Sequence, residues 1–477
     1  MNVIASEHFG LYSTRLPLTH SVTIVHGNAL RLDWETIVPK NELSYILGNP
    51  PFVGYSNQSK NQKGDILSVF LDGNGKTIKN AGRIDYVAAW FYKAAQYIHG
   101  KQSRVAFVST NSITQGEQVA TVWKPLYDMF GIHINFAHRS FKWGNEAKGK
   151  ASVHCVIIGF GTDPTIEKVI FDGKKRIIAK DINPYLVDAP NTFVERRKKP
   201  ICNVPEMMIG NRISDGGHLI IAAEEYEQFV RKEPAAAKYI RPYMMGKDFL
   251  TNKERYCLWP VDVSPAELRK MPLVLERIKK CQKIRLASLR SNTRRAAKTP
   301  TLFESNRQPE TDYIAIPAVS SEHRRYIPIG YLGKEVIAGD NLFTIPNASL
   351  YHFGLLTSNV HSAWMRAVGG RHKMSYRYSN TVVYNNFPWP ETTAAQRVDI
   401  ELLAQAILDA RALFPDSSLA ALYDPLAMPP ELLKAHQALD RAVMKLYGFP
   451  VTAEFTEAHC VAALMELYQA HANAAKA

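Results

Sequence analysis

The residues best suited to chemistry stand together in Tyr45-Ile46-Leu47-Gly48-Asn49-Pro50-Pro51-Phe52, where a short apolar run leads directly into Asn-Pro-Pro-aromatic. The Asn49 side-chain oxygen and the Pro50 carbonyl are two hydrogen-bond acceptors on adjacent residues. The prolines restrict the backbone and add no N–H of their own, so both acceptors can converge on one amino group. An exocyclic ring amine such as that of adenine is a poor nucleophile, because its lone pair is delocalised into the ring. Accepting its two hydrogens draws the nitrogen toward a tetrahedral, nucleophilic state, and no general base need act first. Phe52 offers a face on which an extruded base can stack. The plain alternative is a tight Pro-Pro turn that closes a strand.

The surrounding sequence supplies elements to hold such a motif. VTIVHG (22–27), SYIL (44–47), SRVAFVST (103–110), INFAH (134–138) and SVHCVIIGF (152–160) read as strands. Residues 85–98 and 117–130 have helical spacing. This alternation predicts an α/β sheet with helices on both faces and its site at the strands' C-terminal ends. The last two strands, with no long helix between them, suit an antiparallel pair at one edge. Ser109, Thr110 and Asn111 end a strand, so they suit either pocket lining or a helix cap. DGNGKT (72–77) lacks the earlier glycine of a phosphate loop and reads as a turn.

Between 163 and 390 the short runs YIAIPAV, RYIPIGYL, EVIAG, NLFTIP and NTVVYNNF predict a β-rich module with some helix. Residues 391–477 are Ala/Leu-rich and helical in spacing. These shifts set expected domains at 1–162, 163–390 and 391–477.

At 477 residues, 46% hydrophobic and 21% charged, the chain has material for packed cores, which excludes general disorder. No apolar run reaches the ~20 residues of a membrane span, and the N-terminus lacks a signal layout, so a cytoplasmic protein with no membrane partner is expected. Five scattered cysteines without a CxxC pair exclude a zinc ribbon or disulfide framework, and no metal is expected. The net charge of +14 is uneven, with +13 in residues 163–390 and −5 in 391–477. Residues 269–298 hold eleven Lys/Arg against one acid, Glu276. Nucleic acid is the natural partner for such a run; a solvated basic helix face is the alternative.

The tetrapeptide resembles motif IV of the amino-group DNA methyltransferases, and the wider sequence is similar to the MmeI-like family. The similarity runs through HGNALRLDW (26–34), GNPPFVGYS (48–56), DYVAAWFYKAA (85–95), FVSTNSITQGEQV (107–119) and FAHRSFKWGNEAKGKASVHCVIIGF (136–160). It continues in IAIPAVSSEHRRYIPIGYL (314–332), GRHKMSYRYSNTVVYNNFPWP (370–390) and LYDPLAMPPELLKAH (422–436). The resemblance implies a partial Rossmann-like sheet of the S-adenosylmethionine-dependent methyltransferases, an α+β target-recognition domain and a C-terminal helical domain. It implies transfer of a methyl group from S-adenosylmethionine to the amino group of adenine in double-stranded DNA, within a restriction-modification system. No nucleophilic Pro-Cys points to cytosine ring methylation instead.

By resemblance, Asn49, Pro50, Pro51 and Phe52 form the catalytic motif. Asn28 binds the cofactor's adenine, and Phe141 joins Phe52 in contacting the flipped base. Arg324, Arg325, Arg371, Lys373 and Arg377 become DNA contacts, mostly to phosphate, and Arg294 and Arg295 are added to them from the basic run on charge alone. Trp389 is expected to pack a domain junction. The family's Gly-rich loop of the form DPACGSGNFL has no counterpart in the sequence, and neither does its nuclease. The alternative to a self-sufficient enzyme is therefore a DNA-binding subunit or remnant that needs a separate N-terminal chain.

Overall fold

The computed structural model describes residues 23–143 and 153–474. The first unit is a six-stranded sheet of β1 (Tyr45–Gly48), β2 (Arg104–Thr110), β3 (His133–Trp143), β4 (Val153–Gly161), β5 (Lys168–Asp172) and β6 (Lys175–Ala179), in the order β1-β2-β4-β3-β5-β6. β1 runs parallel to β2, and β4 is antiparallel to both β2 and β3. The expected β3–β4 pair therefore exists, but β4 is inserted inside the sheet rather than placed at its edge. Gly159 permits this packing, because a Cβ there would lie 2.0 Å from the Phe136 ring of β3.

The sheet also continues past residue 162, where sequence reading sets the first boundary. The antiparallel hairpin β5–β6 carries it to Ala179, with β5 parallel to β3. VTIVHG is not a strand: 23–26 form no regular element, and Val22 lies outside the described residues. A strand exists only where a neighbour takes its backbone groups, and none stands beside this segment among the described residues. Ile24 is accordingly 87% exposed.

Three helices support the sheet: α1 (Lys60–Val69), α2 (Ala88–Ile98) and α3 (Gly116–Phe130). Ser59 and Gln62 form a capping box that starts α1. In α2 the run AAWFYKAAQYI buries nearly every side chain, as a helix apolar on most faces must. α3 buries Val119, Val122, Trp123, Leu126 and Phe130 at helical spacing and ends on Gly131 in the left-handed region. Phe91 of α2 and Trp123 of α3 meet Phe107 and Phe160 in one aromatic cluster, so both helices cover the same sheet face. Helices on both faces were expected. The opposite face of β1 instead exposes Tyr45 (64%) and Leu47 (76%).

The basic middle region divides in two. A lobe around 213–303 has its own apolar core, including Leu219, Ile221, Ile278 and Cys281. It contains the helices α4 (Pro272–Leu286) and α5 (Ser291–Ala296), which account for most of the basic run. Tyr313–Pro317 and Leu342–Pro346 pair in a separate antiparallel sheet. NTVVYNNF is not a strand but a turn with a 3₁₀ segment at Tyr384–Asn386. There the Asn385 and Asn386 side chains donate to the carbonyls of Arg197, Glu195, Thr381 and Val382, replacing ladder partners. Trp389 is buried beside Tyr384 and Phe387.

The tail forms the helices Ala394–Ala412, Pro430–Leu446 and Glu457–Ala474. Its residues share one continuous core with the six-stranded sheet. The last helix reaches far back along the chain: the Asn183 amide donates to Met465 Sδ at 3.0 Å, and the Tyr468 hydroxyl donates to the Phe193 carbonyl at 3.4 Å. Among the described residues, no helix is long and apolar enough to cross a membrane.

Candidate active site and nucleic-acid interface

β1 stops at Gly48, and the chain turns at once into Asn49-Pro50-Pro51-Phe52. Asn49 is exposed, Pro50 is buried, and Phe52 is half-buried against the main core. A clamp from the start of α2 holds the loop that follows. The Tyr86 N–H donates to the Val53 carbonyl at 2.9 Å, and the Tyr55 N–H donates to Asp85 Oδ1 at 3.0 Å. Ser112 donates to the other Asp85 oxygen and pairs with Thr110 Oγ1 at 2.7 Å. Gln58 adds a bond to the Ile84 carbonyl at 2.9 Å, and Gln118 accepts the Asp85 N–H at 3.0 Å. The motif is thus tied to the C-terminal end of β2 through a buried carboxylate.

Thr110 belongs to this network, Ser109 bonds the Thr110 carbonyl, and Asn111 opens a 3₁₀ turn. Sequence reading missed Asp85 and Ser112. The available signal was an acid placed just before an almost wholly apolar helix.

Strand register brings Phe141 to the same end of the sheet. Thr110 of β2 stands opposite Cys155 of β4, and Cys155 stands opposite Phe141 of β3. A bulge between His138 and Phe141 re-aims the strand just before the ring. At the usual strand spacing of about 4.8 Å, Phe141 lies about 10 Å across the sheet from Thr110. Asn49, Phe52 and Phe141 therefore flank one rim, where α/β sheets place their ligands.

Asn28 is exposed, but its side chain is already engaged. Its Oδ1 accepts the Leu30 N–H at 3.0 Å, and its Nδ2 donates to Asp65 at 3.0 Å. Asp65 also accepts from Arg31 Nε at 2.7 Å and from the Tyr86 hydroxyl at 2.8 Å. Burial opposes ionisation of Asp65, yet these hydrogen bonds hold its carboxyl below the ordinary value. Burial and the same carboxylate push the Tyr86 hydroxyl up to about 12. Lys93 donates to the Leu30 and Leu32 carbonyls, docking the Asn28 turn onto α2.

The Asp65→Asn variant should cost about 1–3 kcal/mol at neutral pH. A lowered carboxyl stabilises the fold above its unfolded value and loses that contribution as pH falls through the folded value. The deficit should therefore close in acid, below the ordinary 3.8, when Asp65 itself protonates. Melting temperatures of both proteins across pH test this, and a deficit that persists in acid would contradict it.

The predicted DNA contacts fall on different bodies. Val319–Ser320 pairs with Ser375–Arg377, which pairs with Gly370–His372. This small sheet gathers Arg371, Lys373 and Arg377, and the 321–325 loop leaves directly from it. The Arg371 guanidinium lies 3.7 Å from the Tyr376 ring centroid and donates to the Met374 carbonyl at 3.1 Å. Lys373 stands exposed at the hairpin tip with φ of 56°. Arg324 is half-buried, and Arg325 lies 5.4 Å from the Tyr326 ring centroid. The hairpin abuts the start of α3, where a Cβ on Gly116 would lie 3.4 Å from Gly370 Cα. Arg294 and Arg295 are exposed on α5, in the separate lobe.

Three family descriptions divide the chain in this same order. Residues 1–172 match the MmeI DNA-methyltransferase domain, 188–391 the MmeI target recognition domain, and 392–475 the MmeI C-terminal domain. The chain belongs to the MmeI-like family. A solved structure of the type IIL restriction-modification enzyme MmeI in complex with DNA superposes with a TM-score of 0.88 at 48% identity, covering 99% of this chain and 63% of that one. DNA methyltransferase A of Bacillus subtilis (strain 168) is 40% identical over 435 residues, which are 91% of this chain and 49% of that protein. The chain thus spans about half the length of this relative.

Proposed function

We propose that this chain is an adenine-specific DNA methyltransferase of a restriction-modification system, acting in the cytoplasm, and carries the target-base and DNA-recognition parts of that activity. The observation that carries the reading is the exposed Asn49 beside the buried Pro50 at the end of β1, with the following loop clamped by Asp85. Asn49 Oδ1 and the Pro50 carbonyl accept the two amino hydrogens of a flipped adenine, while Phe52 and Phe141 contact the ring. S-adenosylmethionine, when bound, supplies an electrophilic methyl group. With it bound, the amino nitrogen held by Asn49 and Pro50 would take that methyl group as the donor's C–S bond broke, and would release its surplus proton to solvent. Asn28 fits the adenine end of that cofactor, since its exposed amide retains a second N–H.

A second reading is favoured by β1 itself. Its outer edge has no partner strand among the described residues, and Tyr45 and Leu47 are exposed. An open strand edge beside an exposed apolar face suits a strand and a covering element supplied by a separate N-terminal polypeptide. Radiolabelled methyl transfer to unmethylated plasmid DNA separates the two readings. Adenine labelling by the chain alone supports the self-sufficient enzyme. Labelling only after addition of the N-terminal half of an MmeI-like relative supports the subunit. Label on cytosine, or on protein alone, contradicts both.

Lys373 offers a test of DNA contact that does not need activity. In the Lys373→Asn variant the left-handed backbone is retained at little cost, because asparagine tolerates it. If Lys373 neutralises one phosphate, the slope of log affinity against log salt should become shallower by about 0.9. An unchanged slope would remove Lys373 from the phosphate contacts.

A further inference from the structure

We propose that the tip joining α4 to α5, residues 286–290, presses Leu286 and Leu289 into a groove of a DNA duplex. The contact would supply affinity that salt does not screen. The proposal rests on the DNA-binding reading above and goes beyond its charged contacts.

Leu286 is 60% exposed and Leu289 97% exposed, three residues apart, and their neighbour Ile284 is 47% exposed with its side chain beside Gly216. A single exposed leucine means little. Here two are presented by a braced backbone. Buried Arg285 donates to the carbonyls of Ile213, Ser214, Ala296 and Thr299, fixing the end of α4 to α5 and to the loop before the lobe's sheet. Arg294 donates to the Ser288 and Leu289 carbonyls, each at 2.8 Å. The leucines therefore point outward from a fixed frame.

The charge of the segment selects the occupant. With eleven Lys/Arg against one acid across 269–298, the tip is set among cations, and Lys283, Arg290, Arg294 and Arg295 are exposed around it. Cations flanking an apolar point match two phosphate strands flanking the sugars and base edges of a groove. Proteins that bind grooves combine apolar side chains with Arg and Lys in this way.

The test compares wild type with Leu286→Ala/Leu289→Ala, titrating a fluorescein-labelled mixed-sequence duplex across a salt series. Counterion release sets the slope, and affinity extrapolated to about 1 M salt reports the remaining contacts. The double variant should lose at least about tenfold of that extrapolated affinity, since burying one leucine is worth roughly that much. Its slope should not change. Leu289→Ala alone, altering the most exposed side chain, repeats the measurement should the double variant melt lower.

Equal extrapolated affinities would overturn the wedge and leave the DNA reading standing. Failure of wild type to bind the duplex would overturn both. A leucine-dependent binding to phosphatidylserine–phosphatidylcholine vesicles, with duplex affinity unaltered, would assign the tip to a membrane surface and overturn the proposal.

Discussion

Replacing Asn49 with alanine should lower methyl transfer to DNA by about 10²- to 10³-fold or more, the usual cost of deleting one preorganised polar group that acts in the transition state. Salt-dependent duplex binding should survive, because Asn49 lies at the rim of β1 and not on the basic surfaces. The fold should survive as well. The Asn49 side chain is exposed, whereas Pro50 and the Asp85 clamp hold the loop. Methyl incorporation into plasmid DNA under single-turnover conditions, in the assay that first establishes activity, measures the effect. A variant within tenfold of wild type would mean that Asn49 does not hold the amino group.

Arg285→Ala should produce the largest loss of stability, at least about 3 kcal/mol. Arg285 is fully buried and satisfies four backbone carbonyls that alanine would leave without partners. The damage should be local, because the lobe around 213–303 has a core separate from the one beneath the methyltransferase-like sheet. Hydrogen exchange should quicken across that lobe and stay slow in β2 and β4. Arg285→Lys should recover only part of the loss, since a single ammonium cannot span four acceptors in fixed directions. Uniform loosening of the whole chain, or none, would refute this account.

Arg285 also shows where sequence reading stops. It is one of the eleven basic residues of 269–298 that point to a polyanion, yet its charge faces inward and serves the lobe. Composition counts charges without their directions. Apolar periodicity revealed α2 and α3 well, because both bury continuous stripes. The Asn-Pro-Pro-Phe motif stood out in the sequence because few arrangements of residues suit the chemistry proposed for it. The insertion of β4 between β2 and β3 was not legible, since strand order depends on partners distant in sequence. VTIVHG has the composition of a strand, but propensity cannot supply a missing neighbour. Asp85 was overlooked for a related reason. Its two donor partners, the Tyr55 N–H and the Ser112 hydroxyl, come from loops that meet only after the sheet has formed.

The reach of the last helix back to Asn183 and Phe193 has a consequence for the nascent chain. At about 5–20 residues per second, the ribosome needs roughly ten to fifty seconds after making that region before the last helix exists. Throughout that interval the apolar seat of Met465 and Tyr468 is open. Until the last helix arrives the protein offers that seat to chaperones and proteases, and a polypeptide that stopped before Glu457 would keep it uncovered.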